Sequence, residues 1–303
     1  MALLKAEAEK LSNNDLVAGV IEEIITKEAL WALLPFSRTD GKAYVYNREN
    51  AISEAPFVDP LEAITEGAAT FTSVTTYLRI IAGDVDVDKF LAGTMSDTSS
   101  QLALQIAAKA KGIGRTFQSA LINGDNGSNA KEFDGLKQLL IDTGNQIPAV
   151  AGAATGAALT LSMLDVLLDS VPYGADFLMM RSSTLRALKA LWRAAGGNNG
   201  AMLQIDNFGL SVPQHDGVPI IVNDYIGTEA EGSSPTCARI YAVRANEVDG
   251  LHGLYGGDSA GFVIEDIGTV QNKDATRTRV KWYTGLALKS TKSAAVLKGI
   301  TNV

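Results

Sequence analysis

Hydrophobic positions recur along the chain in two rhythms, and the switches between them mark out its elements. From Asn14 to Leu30, Leu16, Val20 and Ile24 fall at helical spacing, with Asn13 or Asn14 placed to cap and Pro35 beyond the end. The longest helical signal runs from Ser99 to Ile122. There Leu102, Ile106, Ala110, Ile113, Phe117 and Leu121 trace one apolar stripe, and Lys109, Lys111 and Arg115 fall off it. Asn123-Gly-Asp-Asn-Gly127 then breaks the helix. Two shorter helices are predicted further on. One is capped by Thr160 and carries Leu161, Leu164, Leu168 and Val171. The other is opened by Ser183 or Thr184, runs through Leu185, Leu188 and Leu191, and stops at Gly196-Gly197.

Strand-like alternation appears at Lys42–Tyr46 and again at Phe71–Ile80. Residues 49 to 78 hold Glu49, Glu54, Asp59, Glu62 and Glu66 but no Lys or Arg, with Pro56 and Pro60 in the middle. This reads as a long two-stranded excursion with an acidic, proline-stiffened tip. A ribbon of that kind is marginal in water and wants a surface to lie on. Further strands are predicted at Phe177–Met180, Leu210–Val212, Pro219–Val222 and Ala238–Val243. Arg277–Leu288 reads as a strand with Arg277, Arg279, Lys281 and Tyr283 on one face, and 251–257 as a glycine-rich loop. The class is mixed α+β.

Composition narrows the partners. The 303 residues, 46% of them hydrophobic, suffice for roughly two lobes around a sizeable interior. The net charge of −8 speaks against a protein that lives by non-specific phosphate contacts. That charge is unevenly spread: −5 over 49–78 and +6 over 271–303. Cys237 is the single cysteine, which forbids an internal disulfide and fits a reducing cytoplasm. The N-terminus lacks the basic and long apolar regions of a signal peptide. Residues 143–164 carry no charge and include Gly152 and Gly156 in GxxxG spacing. Their Ala, Gly and Thr content, Pro148 and unflanked ends favour a flexible connector over a membrane span, so the chain reads as soluble.

Candidate chemistry is sparse. Gly257-Asp-Ser-Ala-Gly261 has the form of a nucleophile elbow, but both histidines, His215 and His252, precede Ser259. Without a base in its required place the hydroxyl stays a poor nucleophile. Asp84-Val-Asp-Val-Asp88 opens like a calcium loop but has Lys89 and Met95 where Gly and Glu belong, so it reads as the solvated face of a strand. Gly112-Ile-Gly114 lies inside a helix pattern, and the two isolated histidines do not form a metal site. No catalytic, cofactor or metal residues are expected.

The order of segments resembles the major capsid protein of tailed bacteriophages, with its Hong Kong 97-type fold. Asn14–Leu30 followed by Leu33-Leu-Pro-Phe36 looks like the N-terminal arm, residues 40–80 like the extended loop, and Ser99–Ile122 like the spine helix. Leu121–Gly127 and then Phe133-Asp-Gly-Leu136 are similar to the turn and Gly-Leu step after that helix, the most specific local match. Tyr173–Leu188 and Gly217–Val222 resemble axial-domain elements, and Arg277–Leu286 the closing strand of the peripheral domain. The implied divisions are an arm at 1–39, an extended loop at 40–82, a peripheral domain with the spine at 83–150, an axial domain at 151–265, and peripheral C-terminal strands at 266–303.

The resemblance implies a non-enzymatic shell protein of the virion, assembled in the host cytoplasm as hexamers and pentamers around double-stranded DNA bound without sequence specificity. Many relatives begin with a scaffolding segment that a protease removes. Here the arm starts almost at Met1, so either no such segment exists and a separate scaffold protein acts, which an initiating Met favours, or this is the processed form; a portal and cement proteins are further expected partners. No membrane partner is implied. Joined to the charge pattern, the resemblance suggests that the loop tip docks on a neighbouring copy. Glu54, Asp59, Glu62 and Glu66 would face some of Arg277, Arg279, Lys281, Lys109, Lys111 and Arg115, with Phe57, Val58 and Phe71 buried beneath the ribbon. The alternatives are an encapsulin-type nanocompartment, which shares the fold, and, distantly, a Ser259 hydrolase.

Overall fold

The computed structural model describes residues 30, 33–51, 55, 57–60, 63–64, 66–89, 98–152, 155–196, 202–205, 210–257 and 261–303. The helix expected over Asn14–Leu30 lies outside these residues apart from Leu30, as do Glu54, Glu62 and Ser259. Strand β1 (Phe36–Arg38) leads into the hairpin β2 (Ala43–Ala51) and β3 (Thr70–Tyr77), then β4 (Arg79–Asp88) and the long helix α1 (Thr98–Asn123). Helix α2 (Leu136–Thr143), β5 (Gln146–Pro148), α3 (Leu161–Asp169), β6 (Phe177–Met180) and α4 (Ser182–Ala194) follow. The remainder is strand: β7 (Met202–Ile205), β8 (Leu210–His215), β9 (Val218–Val222), β10 (Glu229–Glu231), β11 (Ser234–Val243), β12 (Leu251–Tyr255), β13 (Val263–Thr269), β14 (Ala275–Leu288) and β15 (Ala294–Ile300).

Strand β14 organises the first sheet. Along one edge it pairs antiparallel with β4 over ten residues, Ala275 opposite Asp88 through Thr284 opposite Arg79. Along the other edge it pairs in turn with β13 and β12, and β1 runs parallel to β12. Helix α1 lies against this sheet, and the predicted stripe is the buried one: Ile106, Ala110, Ile113, Phe117 and Leu121 are all inside. Phe117 and Trp282 of β14 meet at 4.8 Å between ring centroids, with Phe36, Phe133 and Phe262 packed around them. Five segments distant in sequence therefore share one aromatic core, and each such ring contributes roughly 1.5–3 kcal/mol through burial. Residues 251–257 are not a loop as expected: β12 occupies their first five positions. Its Gly253 is required by packing, because a Cβ there would lie 2.3 Å from the Phe36 ring.

The second sheet has the order β5-β15-β11-β6-β9-β8-β7, with β10 on β11. Phe177–Met180 is buried at every position, as the uninterrupted apolar run predicts. Helices α3 and α4 cover this sheet through Leu164, Leu167, Leu188 and Trp192. Thr160 caps α3 as expected, its Oγ1 accepting from the Met163 amide at 3.4 Å. Helix α4 departs from expectation. It starts at Ser182 after an Arg181 that makes no side-chain cap, and the Ser182 amide donates to Asp224 Oδ1 at 3.0 Å instead. That carboxylate comes from beyond β9, so tertiary structure supplies the cap. Hydrogen bonds from Ser182 hold Asp224 below the usual carboxylate range.

The two sheets interleave along the C-terminal part of the chain. Strand β12 and the start of β13 belong with β14, whereas β15 sits inside the second sheet between β5 and β11. The uncharged stretch 143–164 is not a free connector. Its Gln146–Pro148 pairs parallel with β15, and Ala157 bridges to Ile300. Small residues suit that edge: a Cβ on Gly156 would stand 2.7 Å from Cys237 Sγ and 2.8 Å from the Gly299 carbonyl oxygen. No described helix is long and apolar enough to cross a membrane.

The excursion after α1 closes on itself through two glycines. The Gly135 amide donates to the Gly124 carbonyl at 2.8 Å, and a Cβ on Gly135 would meet Ala120 O at 2.4 Å and Gly124 N at 2.8 Å. Both obstacles are backbone and cannot rotate away. Gly135→Ala is therefore expected to cost about 1–3 kcal/mol or more, read as a lower unfolding midpoint in denaturant. An unchanged midpoint would show that the turn can open without loss.

Candidate intersubunit surface

The hairpin β2–β3 forms a two-stranded sheet of its own, in register from Ala43 opposite Tyr77 to Glu49 opposite Phe71. The strand expected over Phe71–Ile80 is broken at Leu78, where the chain passes from the hairpin into the first sheet. Alternation along β2 turns Tyr44, Tyr46 and Arg48 toward the body and leaves Val45 and Asn47 exposed. The Tyr46 hydroxyl donates to the Leu288 carbonyl at 2.7 Å, and Arg48 Nε donates to the Lys289 carbonyl at 2.7 Å. A second Arg48 nitrogen reaches Leu288 O at 2.5 Å. The root is thus clamped to the carbonyl of Leu288, the last residue of β14, and that of Lys289 just beyond it.

Beyond the root most of the described residues are exposed. Thr70, Phe71, Thr72 and Ser73 are exposed, as are Asp59 and Glu66. Phe57 is fully exposed, and Val58, Ile64 and Phe71 stand in solvent with it. Four exposed apolar side chains on this excursion, in a stretch rich in carboxylates, are the kind of apolar exposure that marks an interaction site.

The cations expected to receive that tip are largely engaged within the chain. Arg277 makes a two-pronged contact with Asp86, at 2.7 and 2.8 Å, and Arg279 does the same with Asp84, at 2.7 and 2.9 Å. Lys281 reaches Glu265 at 2.7 Å. The alternating aspartates of β4 lie on the solvent-accessible face of a strand, as expected, and Asp84 and Asp86 also form one half of a cross-strand charge ladder. Hydrogen bonds from Arg279, Arg277 and Lys281 hold Asp84, Asp86 and Glu265 respectively below the ordinary carboxylate range. Lys109 lays its stem across Gly83 and acts on Asp84. Lys111 and Arg115 remain exposed on α1.

Arg115 borders a cleft of about 600 Å³ between β4, α1 and the turn at 129–133. Ile80, Ile81 and Phe133 line it together with Arg79 and Lys131. Arg79 Nε donates to the Glu132 carbonyl at 3.0 Å, and a terminal nitrogen reaches Asn126 Oδ1. The cleft thus combines an apolar floor with three cations, against the single carboxylate of Glu132. Its contribution from Arg79 and Lys131 was not legible in sequence, because only the fold brings the hairpin exit beside the turn after α1.

No described group of His, Cys, Asp and Glu could hold a metal ion. The two histidines lie in different parts of the fold. His215 Nε2 lies 3.2 Å from Asp165 Oδ1 and its ring stacks on Trp192, tying the β8–β9 turn to α3 and α4. His252 is buried in β12, its Nδ1 facing the Gly250 carbonyl.

A model of the phage capsid family matches residues 10–299. The chain belongs to the phage capsid family. Its α+β architecture is the Hong Kong 97-type fold, and family membership makes it a structural capsid shell protein. Among solved structures it is similar to the SrpI encapsulin of Synechococcus elongatus PCC 7942, with a TM-score of 0.68 and 22% identity over 100% of this chain and 98% of that one. The capsid of a native GTA particle gives 0.63 and 15% identity over 90% of each chain, and Mycobacterium phage Bobi gives 0.62 and 13% over 89% of each. No curated protein matches.

The ladder yields a prediction. Reversing one member puts like charges opposite each other, so Arg279→Glu lowers the melting temperature, and adding Asp84→Lys restores most of the loss. Because the ladder carboxylates titrate below their ordinary range, its contribution is present above that range and is lost only as pH falls through the depressed values. Equal melting temperatures for single and double variants would mean that the ladder adds nothing.

Proposed function

We propose that this capsid protein closes into an icosahedral shell of hexamers and pentamers around double-stranded DNA, each hairpin tip lying on a neighbouring copy. The observation that carries the reading is the hairpin itself: its root is clamped to its own body while Phe57, Val58, Ile64 and Phe71 stay in water. The cleft bounded by Arg79, Arg115 and Lys131 is the proposed seat, in place of the engaged Arg277, Arg279 and Lys281. An acidic tip with no cation between 49 and 78 complements it in sign, and Glu54, Asp59, Glu62 and Glu66 set register over the apolar contact. Exposed ion pairs add only about 0–1 kcal/mol each, whereas burying one phenylalanine adds roughly 1.5–3 kcal/mol.

Individually weak contacts suffice for such a shell. A contact of about −4 kcal/mol is only millimolar, yet each subunit touches several neighbours and closure makes the contacts multivalent. Weak contacts also let misplaced copies leave. A net charge of −8 suits DNA that must be released, since a strongly cationic wall would retain it. A separate scaffold, a portal and cement proteins complete the proposed virion, with assembly in the host cytoplasm.

The second reading is an encapsulin-type compartment. It is favoured by the end-to-end likeness to the encapsulin chain, against about nine-tenths coverage for the GTA and phage capsids. Nucleic acid inside purified particles supports the virion reading, and an enzyme cargo supports the compartment.

Phe57→Ser combined with Glu62→Lys and Glu66→Lys is expected to lower the yield of closed particles at least tenfold, counted by electron microscopy, while the subunit stays folded by circular dichroism. Normal particles at unchanged yield and salt stability would overturn the docking.

A further inference from the structure

The root of the hairpin covers a buried histidine. His252 on β12 has no exposed surface, and its Nε2 has no hydrogen-bond partner. Its Nδ1 lies 3.5 Å from the Gly250 carbonyl oxygen, too far for a firm bond. From β2, the Tyr44 ring meets the imidazole edge-on, 5.7 Å between centroids and 83° between planes. Tyr44 also packs with Tyr46 at 5.8 Å, and Lys289 Nζ stands 5.6 Å from its ring centroid while donating to the Glu247 carbonyl at 2.7 Å. The charged side chains of this cluster among the described residues are Arg48 and Lys289, both cationic. Asp249, in the turn before β12, is engaged by Arg244 at 3.3 Å. A proton on His252 would therefore sit under an aromatic lid, with cations nearby and no anion placed to receive it.

We propose that this cluster is an acid-operated latch, in which protonation of His252 lifts the hairpin root from the body and frees the hairpin to change its angle. The reaction is uptake of one proton from solvent by the imidazole, coupled to exposure of the ring. Burial is the main reason that the docked imidazole titrates at about 4 instead of 6.5; the Gly250 carbonyl opposes the shift and Lys289 adds to it. The lifted root, with its imidazole in water, takes the proton near the ordinary value. Docking is thus complete above that value, weakens as pH falls from 6.5 toward about 4, and changes no further below. The carboxylates that hold the body together behave differently. Asp84, Asp86, Asp125, Asp224 and Glu265 are all held below their ordinary range, so they stay ionised while the root lets go. The latch stands on the packing of the root alone and does not depend on where the tip docks.

The test is amide hydrogen exchange by mass spectrometry on the intact protein between pH 7 and 4.5, corrected for the pH dependence of intrinsic exchange. Peptides from β2 and β3 should lose protection by tens-fold, on the order of 10² at most, while peptides from β6 and α4 keep theirs. Exchange at the imidazole carbon in the same samples should place the His252 titration well below the ordinary histidine value. His252→Gln, which cannot take up the proton, should remove the pH step. Protection of the root that is flat with pH, an ordinary His252 titration in the unaltered protein, or an undiminished step in His252→Gln would each overturn the latch. The imidazole measurement stands even if the variant fails to fold.

Discussion

A ribbon of two strands has no second layer, and that constraint governs the molecule. Paired backbone satisfies the hydrogen bonds of β2 and β3, but a hairpin alone cannot bury the side chains of both faces. Tyr44, Tyr46 and Arg48 face inward and are held by ring contacts and two backbone carbonyls, while Phe57, Val58, Ile64 and Phe71 further out stand exposed. A root fixed in angle with a bare apolar tip is pre-organised for a partner: the ordering entropy of the root is spent before association begins.

The platform that holds the root is stiff because β14 is used along both edges and both faces. Its edges carry β4 on one side and β12 with β13 on the other. On one face, Trp282 enters the aromatic core under α1; on the opposite face, Arg277, Arg279 and Lys281 meet the carboxylates of neighbouring strands. Electrostatics that looked available for assembly is thereby committed to folding. At the cleft, by contrast, Arg79, Arg115 and Lys131 come together from three segments.

Legibility in the sequence followed the range of the forces. The α1 stripe, the Thr160 cap, the buried β6 and the turn after α1 were readable, because each is settled by neighbours a few residues away. The failures share one cause. The accessible strand face of Asp84 and Asp86 was readable, but their partners Arg279 and Arg277, nearly two hundred residues later, were not. Residues 251–257 read as loop because glycine is a poor strand former, yet Gly253 is demanded by the Phe36 ring from β1. The stretch 143–164 read as a connector because it lacks charge and bulk, the qualities that fit it to the edge of β15. The candidate site was half visible: the acidic, cation-free tip is written in the sequence, whereas its proposed seat exists only in the fold.

Electron cryomicroscopy of particles formed by the unaltered chain tests the central claim most directly. The account predicts closed shells in which the Phe57 side chain is buried against the 79–82 and 115–133 region of an adjacent copy. A dispersed monomer, or a shell whose hairpin tips touch only solvent or their own subunit, would contradict it.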